Sequence, residues 1–173
     1  RLQDSTSDFT RDANRYALAV AYYENQQFAE ATSTLSPLLE KYPNQISLVV
    51  TQAEIYTEEN EPARAMDFLR RHLEINPGNH SLTMAYVDAL IEARSFTRAA
   101  EMMEEHSRSR SNDHHLWYQL AETWGQAGNI SKVHQSRAEY FILVGDFRNA
   151  REQLQFALRI ESENGSGPAV EAR

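Results

Sequence analysis

Residues 113–130 read DHHLWYQLAETWGQAGNI. Trp117, Leu120, Ala121 and Trp124 fall at offsets 0, 3, 4 and 7, with Gly128 at offset 11. On a helical period the first four share one face, and the glycine ends the helix. The register returns at one constant step: Trp124 is preceded by Leu90, Tyr56 and Tyr22, and Ala121 by Val87, Ala53 and Ala19. A small residue of the following helix falls at Ala31, Ala65, Ala99 and Val133. A closing proline falls at Pro43 and Pro77, with Ser111 in the third copy. Four copies in one phase predict stacked antiparallel helix pairs.

The string Trp117-x2-Leu120-Ala121-x2-Trp124 resembles the W-x2-L-G-x2-Y signature of the tetratricopeptide repeat (TPR), and the step matches its period. The expected fold class is therefore all-α: a TPR solenoid of about nine helices, the last two repeats sharing one helix. The shared helix follows from a break in phase. After Gly128, Arg137 and Tyr140 stand where the pattern wants an aromatic and a small residue. The turn Gly145-Asp146-Phe147 then opens another second helix with Ala150, Leu154, Ala157 and Leu158. Its first helix must use Ala138 and Phe141, so 131–144 serves two repeats and the phase slips by half a repeat. Each solenoid helix needs only neighbours to cover its apolar face, so the slip is compatible with the architecture.

The expected organisation is a linker over 1–8 and a superhelix over 9–161, with repeats at about 12–45, 46–79, 80–113, 114–144 and 131–161. The stretch 162–173 is expected as a flexible tail or the start of a truncated helix. Asp8 or Thr10 is the candidate cap of the first helix, and Leu18, Ala19 and Tyr22 its core face. Pro37 predicts a kink inside the second helix. The serine- and arginine-rich run 106–113 is expected as a mobile connection.

Composition narrows the function classes. The net charge is −8, and no Lys/Arg cluster offsets it locally, which disfavours nucleic acid and anionic membranes. No apolar run is long enough to span a membrane. Cysteine is absent, which excludes thiol catalysis and disulfides and suits either periplasm or cytosol. The chain opens on Arg1 rather than methionine, so an excised piece of a longer protein is expected.

No catalytic constellation is present: HExxH, a phosphate-binding glycine loop and GxSxG are all missing. His114 and His115 adjoin, but adjacent helical residues point about 100° apart and chelate poorly. His72 and His106, one repeat apart on second helices, read as packing residues or, alternatively, as a pH-sensitive joint. No cofactor or metal is expected in this chain. What remains is surface. The first helices of such a solenoid line a groove, and the register assigns it Tyr16, Val20, Tyr23 and Glu24; Val50, Glu54 and Glu58; Met84, Asp88 and Ile91; Tyr118 and Glu122. Chaperone-tail binders of this fold use lysine, asparagine and arginine to clamp a C-terminal carboxylate; Tyr16, Val20, Thr51, Ser81 and Ala85 stand there instead. An acidic-tailed ligand is disfavoured on charge as well. Tyr16, Tyr23 and Tyr118 are expected to be exposed anchors.

Ser136–Leu158, SRAEYFILVGDFRNAREQLQFAL, resembles the last repeats of bacterial periplasmic zinc metallopeptidases of the β-barrel assembly-enhancing protease family. Arg15–Asn44, with FAEATSTLSPLLEKYPN, is similar to that family's first repeat. The resemblance implies the C-terminal repeat domain of a two-domain protein whose N-terminal protease domain would carry HExxH and zinc. It further implies a periplasmic location. The implied partners are the barrel-assembly machinery, outer-membrane protein substrates and the protease domain itself. The alternative is a stand-alone adaptor, cytoplasmic or periplasmic, with no attached enzyme.

Overall fold

The structure is a computed structural model and describes residues 2–165. Among these residues the chain forms nine helices and no strand: α1 (Leu2–Glu24), α2 (Phe28–Lys41), α3 (Ile46–Glu58), α4 (Pro62–Ile75), α5 (His80–Glu92), α6 (Phe96–Ser107), α7 (His114–Gln126), α8 (Ile130–Leu143) and α9 (Phe147–Gly165). They fall into two compact units, divided between Ala93 and Arg94.

The turns carry the repeat most plainly. Gln26, Asn60, Arg94 and Gly128 all adopt positive φ, at 59°, 61°, 55° and 77°. They are spaced by one repeat, and each stands second before a helix start. Gly145, at φ 80°, follows Gly128 by half a repeat and stands in the same relation to α9. A left-handed residue lets the chain reverse within a very short loop, which is what an antiparallel helix pair requires. Connections between pairs are built differently. The 76–79 turn has Gly78 at positive φ, and the Asn79 side chain accepts from the Leu82 backbone N–H at 3.2 Å, capping α5. The α8–α9 loop is thus of the within-pair kind, as the half-repeat slip requires.

In the first unit α1, α3 and α5 pack side by side, and α2 and α4 pack against them. Ala19, Ala31, Leu35, Leu38, Leu48 and Ile55 form one buried cluster, with Tyr16, Tyr22, Tyr23, Phe28 and Leu39 packed around it. Ala53, Ala65, Leu69, Val87 and Leu90 are buried in the same unit. Each fully covered leucine contributes about 1.5–3 kcal/mol relative to an exposed one. In the second unit Met103, Leu116, Leu120, Ala121 and Trp124 are buried, and α8 packs against both α7 and α9. Ala138, the small residue that α8 needs as a first helix, is fully buried.

Several expectations are corrected. The 2–8 stretch is not a linker: α1 begins at Leu2, so neither Asp8 nor Thr10 is its cap. Asp8 instead pairs with Arg11 one turn on, a spacing that supports the helix interior. The tail does not begin at Ser162 either, because α9 continues through Gly165. Ser131 Oγ and Gln135 Nε2 donate to Glu161 Oε1 at 2.9 and 2.6 Å, holding α9 onto α8 just before that point. The remainder of that expectation, 166–173, lies outside the described residues. Leu18 is 49% exposed and belongs to the outer face of α1. Pro37 lies inside α2, where the sequence places it.

The 106–113 run is tied down rather than loose. Arg110 reaches Asp113 Oδ2 through Nε and Nη2 at 3.1 and 2.9 Å. The Trp117 indole N–H donates to the Ser111 carbonyl at 2.9 Å, and Asp113 caps α7 through the Leu116 N–H. Ser107 and Ser109 hydroxyls donate to carbonyls one turn back. Serine and arginine here satisfy loop backbone and the α7 cap, which composition alone does not reveal.

Candidate functional site: the first-helix faces

The first-helix face of the first unit is built from α1, α3 and α5. The repeat register places Val20, Glu54 and Asp88 at one position, and Glu24, Glu58 and Glu92 one helical turn further on. Val50, Met84 and Ile91 are half-buried between them, as is Val20. Glu24, Glu58 and Asp88 are exposed, and Glu54 is half-buried. Tyr23 lies among these acids and packs near Phe28 with its ring tilted, the centroids 6.2 Å apart.

The electrostatics are one-sided. Burial lifts the Glu54 carboxyl above its usual range, and the charges of Asp88 and Glu24 lift it further. Asp88 is raised by desolvation; its carboxylate stays open to water while the surrounding protein replaces part of its hydration. The Tyr23 phenol is pushed up to about 12, by burial first and then by Glu54, Glu58, Glu24 and Asp88. Tyr23 therefore remains a protonated donor at any physiological pH.

Two of the three expected tyrosine anchors are only partly exposed. Tyr16 is half-buried, and its hydroxyl lies 3.1 Å from Thr51 Oγ1, itself buried, so it braces α1 against α3. Tyr23 is half-buried as well. The causes differ: Tyr16 is engaged by Thr51 of the next first helix, and Tyr23 packs near Phe28 of α2. Ala85 is buried too, while Ser81 is exposed.

The second unit treats the same register differently. Tyr118 is 53% exposed, yet its ring lies 5.7 Å from that of Tyr140 on α8, edge to face. The His114 ring lies 6.2 Å from the same Tyr140 ring. Glu122 faces Arg137 of α8, with Nη2 3.5 Å from Oε1. Arg137 and Tyr140 are the two residues that depart from the repeat pattern. The departure marks them in the sequence, but their pairing with Glu122 and Tyr118 emerges only in the fold.

Among the described residues no group of three or more His, Asp or Glu side chains is arranged to hold a metal ion. The His114 and His115 rings lie 4.2 Å apart. His72 packs edgewise on Phe68 at 5.1 Å, and burial followed by the Arg71 charge lowers its pKa, so it is neutral at pH 7. His106 is buried. No helix among the described residues is long and apolar enough to cross a membrane.

Comparison with known proteins supports the repeat fold. The stretch 16–80 matches the tetratricopeptide repeat family profile. No curated protein matches in sequence. Among solved structures, a tetratricopeptide repeat protein from Parabacteroides merdae superposes with a TM-score of 0.60 at 12% identity, covering 84% of this chain and 63% of that one. A thermophilic TPR protein of Thermus thermophilus gives 0.59 at 14%, covering 86% and 90%. The MamA fragment 41-end from Desulfovibrio magneticus RS-1 gives 0.59 at 12%, covering 88% and 96%. At such identities the likeness establishes the fold alone: this chain is an all-α, TPR-like helical repeat.

Proposed function

We propose that the chain recruits a protein partner on the first-helix face of its first unit, as the repeat domain of a periplasmic zinc metallopeptidase acting in outer-membrane protein assembly and quality control. The observation that carries the docking reading is the face itself: half-buried Val20, Val50, Met84, Ile91 and Tyr23 bordered by carboxylates. Apolar and aromatic anchors of this kind supply most of the energy in protein contacts, while the polar rim sets orientation. The protease attachment is supported by the resemblance of 15–44 and 136–158 to the β-barrel assembly-enhancing family. On this reading the chain has no catalytic part; zinc and HExxH belong to the attached N-terminal domain, and the partners are assembly machinery and outer-membrane protein substrates.

Photo-crosslinking in cells tests both parts. A crosslinking residue at Tyr23 should capture periplasmic or outer-membrane proteins, and the same residue at Leu18, on the outer face of α1, should not. Capture of cytoplasmic proteins alone would leave the stand-alone adaptor. Equal capture from both positions would move the docking surface off this face.

A further inference from the structure

Helix α9 leaves exposed an apolar strip whose counterparts on the earlier second helices are covered. The repeat register, with its half-repeat slip, sets Leu154 at the place of Leu35, Leu69 and Met103, which are fully buried. It sets Leu158 at the place of Leu39 and Leu73, and Phe147 at that of Phe28 and Phe96, all half-buried. There α2, α4 and α6 each pack against the first helix that follows them. On α9, Leu154, Leu158 and Phe147 are 43%, 65% and 69% exposed, and among the described residues the helix packs chiefly on α8.

The charged residues of that strip identify what fits it. Phe147, Arg151, Leu154, Leu158 and Glu161 follow one another at steps of four, three, four and three, the seam spacing of a coiled coil. The strip also reads alike from either end. Leu154 and Leu158 stand two positions to either side of Phe156, and Arg151 and Glu161 stand five. When a second α9 is laid antiparallel about that midpoint, Leu154 meets Leu158 and Arg151 meets Glu161, each contact occurring twice. A parallel, in-register pairing sets arginine on arginine and glutamate on glutamate, so charge selects the antiparallel one. Arg151 is exposed, and among the described residues no carboxylate lies within ion-pairing distance of it. Glu161 is exposed too; the bonds from Ser131 and Gln135 engage its Oε1 and hold the carboxylate in place, while among the described residues Oε2 accepts none.

We propose that two copies of this chain associate through α9 as an antiparallel, two-fold pair, the Leu154 and Leu158 of one copy packing on the Leu158 and Leu154 of the other, with Arg151 on Glu161 at both ends. The strip lies on a different helix from the first-helix face of the first unit, so the pair does not depend on the docking reading above. A strip this short buries little area, so the association is weak and follows protein concentration. Where the chain is monomeric, Leu154→Ala costs little stability; that cost should grow with concentration as the pair forms.

Sedimentation velocity on the full chain, from about 1 to about 300 μM, should show a reversible monomer–dimer equilibrium. Leu158→Asp should weaken it at least about tenfold; the side chain is exposed, so helicity by circular dichroism should hold. Arg151→Glu and Glu161→Arg should each weaken self-association about tenfold, because each sets like charges together. The two charge variants, mixed, should pair with one another at about wild-type affinity, since opposite charges then meet at both ends. Leu18→Asp, on the outer face of α1, should dimerise as the wild type does. A monomer throughout the series overturns the proposal, as does a dimer that Leu158→Asp or Arg151→Glu leaves unchanged. Failure of the two helical charge variants to pair overturns it as well. If Glu161→Arg loses helicity, Arg151→Glu, which breaks no ion pair within the chain, decides alone.

Discussion

Glu54 on α3 and Glu122 on α7 are the same residue type at the same place in the repeat, but their surroundings differ. Among the described residues Glu54 has no cation within ion-pairing distance, and burial, Asp88 and Glu24 raise its carboxyl. Glu122 meets Arg137. The difference comes from the helix that follows. Helix α4 carries Leu69, fully buried, at the second-helix position where α8 carries Arg137. A repeat therefore prescribes the backbone at each position but not its exposure or its pairing. Those depend on the residue that the following helix presents.

The largest effects should separate covered from uncovered copies of one register position. Leu69 is fully buried, whereas Leu154, its counterpart on α9, is 43% exposed. Leu69→Ala should cost about 2–5 kcal/mol of unfolding free energy and Leu154→Ala under about 1 kcal/mol, measured by urea denaturation. A loss at Leu154 as large as that at Leu69 would mean that the α9 face is covered in solution.

Smaller effects should follow the turns. Gly128 and Gly145 hold positive φ, with nothing near enough to clash with an added Cβ. Alanine at either should therefore cost only the backbone strain, about 1–2 kcal/mol. Gln26, Asn60 and Arg94 accept that strain already. Glycine at Gln26 should be neutral or stabilising by about a few tenths of a kcal/mol, a balance between relieved strain and greater freedom of the unfolded chain. A destabilised Gln26→Gly variant would show that the glutamine side chain itself holds the turn.

The pH dependence should be gentler and should run opposite for different groups. Glu54 and Asp88 are raised in the folded protein, so the native state holds protons that the unfolded state has released. Their contribution therefore disfavours the fold at neutral pH, and that penalty fades as pH falls towards the ordinary carboxylate values, 4.5 and 3.8. Asp12, lowered by its bonds to Lys41 and Tyr42, loses its stabilising contribution in acid, as does His72, whose neutral form the fold prefers. Glu54→Gln/Asp88→Asn should raise the melting temperature at pH 7 and lose that advantage near pH 4. An unchanged difference across that range would break the link to ionisation. Smallest of all, Arg137→Ala should cost about 0–1 kcal/mol, since both partners of the Glu122 pair are half-exposed.

The helices, the period and the half-repeat slip are legible in the sequence, because each is written in the spacing of small and apolar residues such as Ala19, Ala53 and Ala138. The candidate face is legible as a set of positions. The engagement of Tyr16 with Thr51 is not, because that contact joins two helices and no local pattern encodes it. Nor is the web around Arg110 and Trp117, where each bond is local but depends on the loop already being folded. The start of α1 escapes because RLQDSTSD is almost wholly polar, and a polar run carries no periodic signal even when helical.

The double role of α8 has a kinetic consequence. Both of its loops are equally short, so the α7–α8 and α8–α9 hairpins can each close locally, without waiting for distant chain. They compete for no common surface, since α8 offers a different side to each neighbour. Folding of this end thus has two routes that converge on one helix. Slowing either hairpin should leave the other route open, whereas a defect at Ala138, buried within α8 itself, closes both.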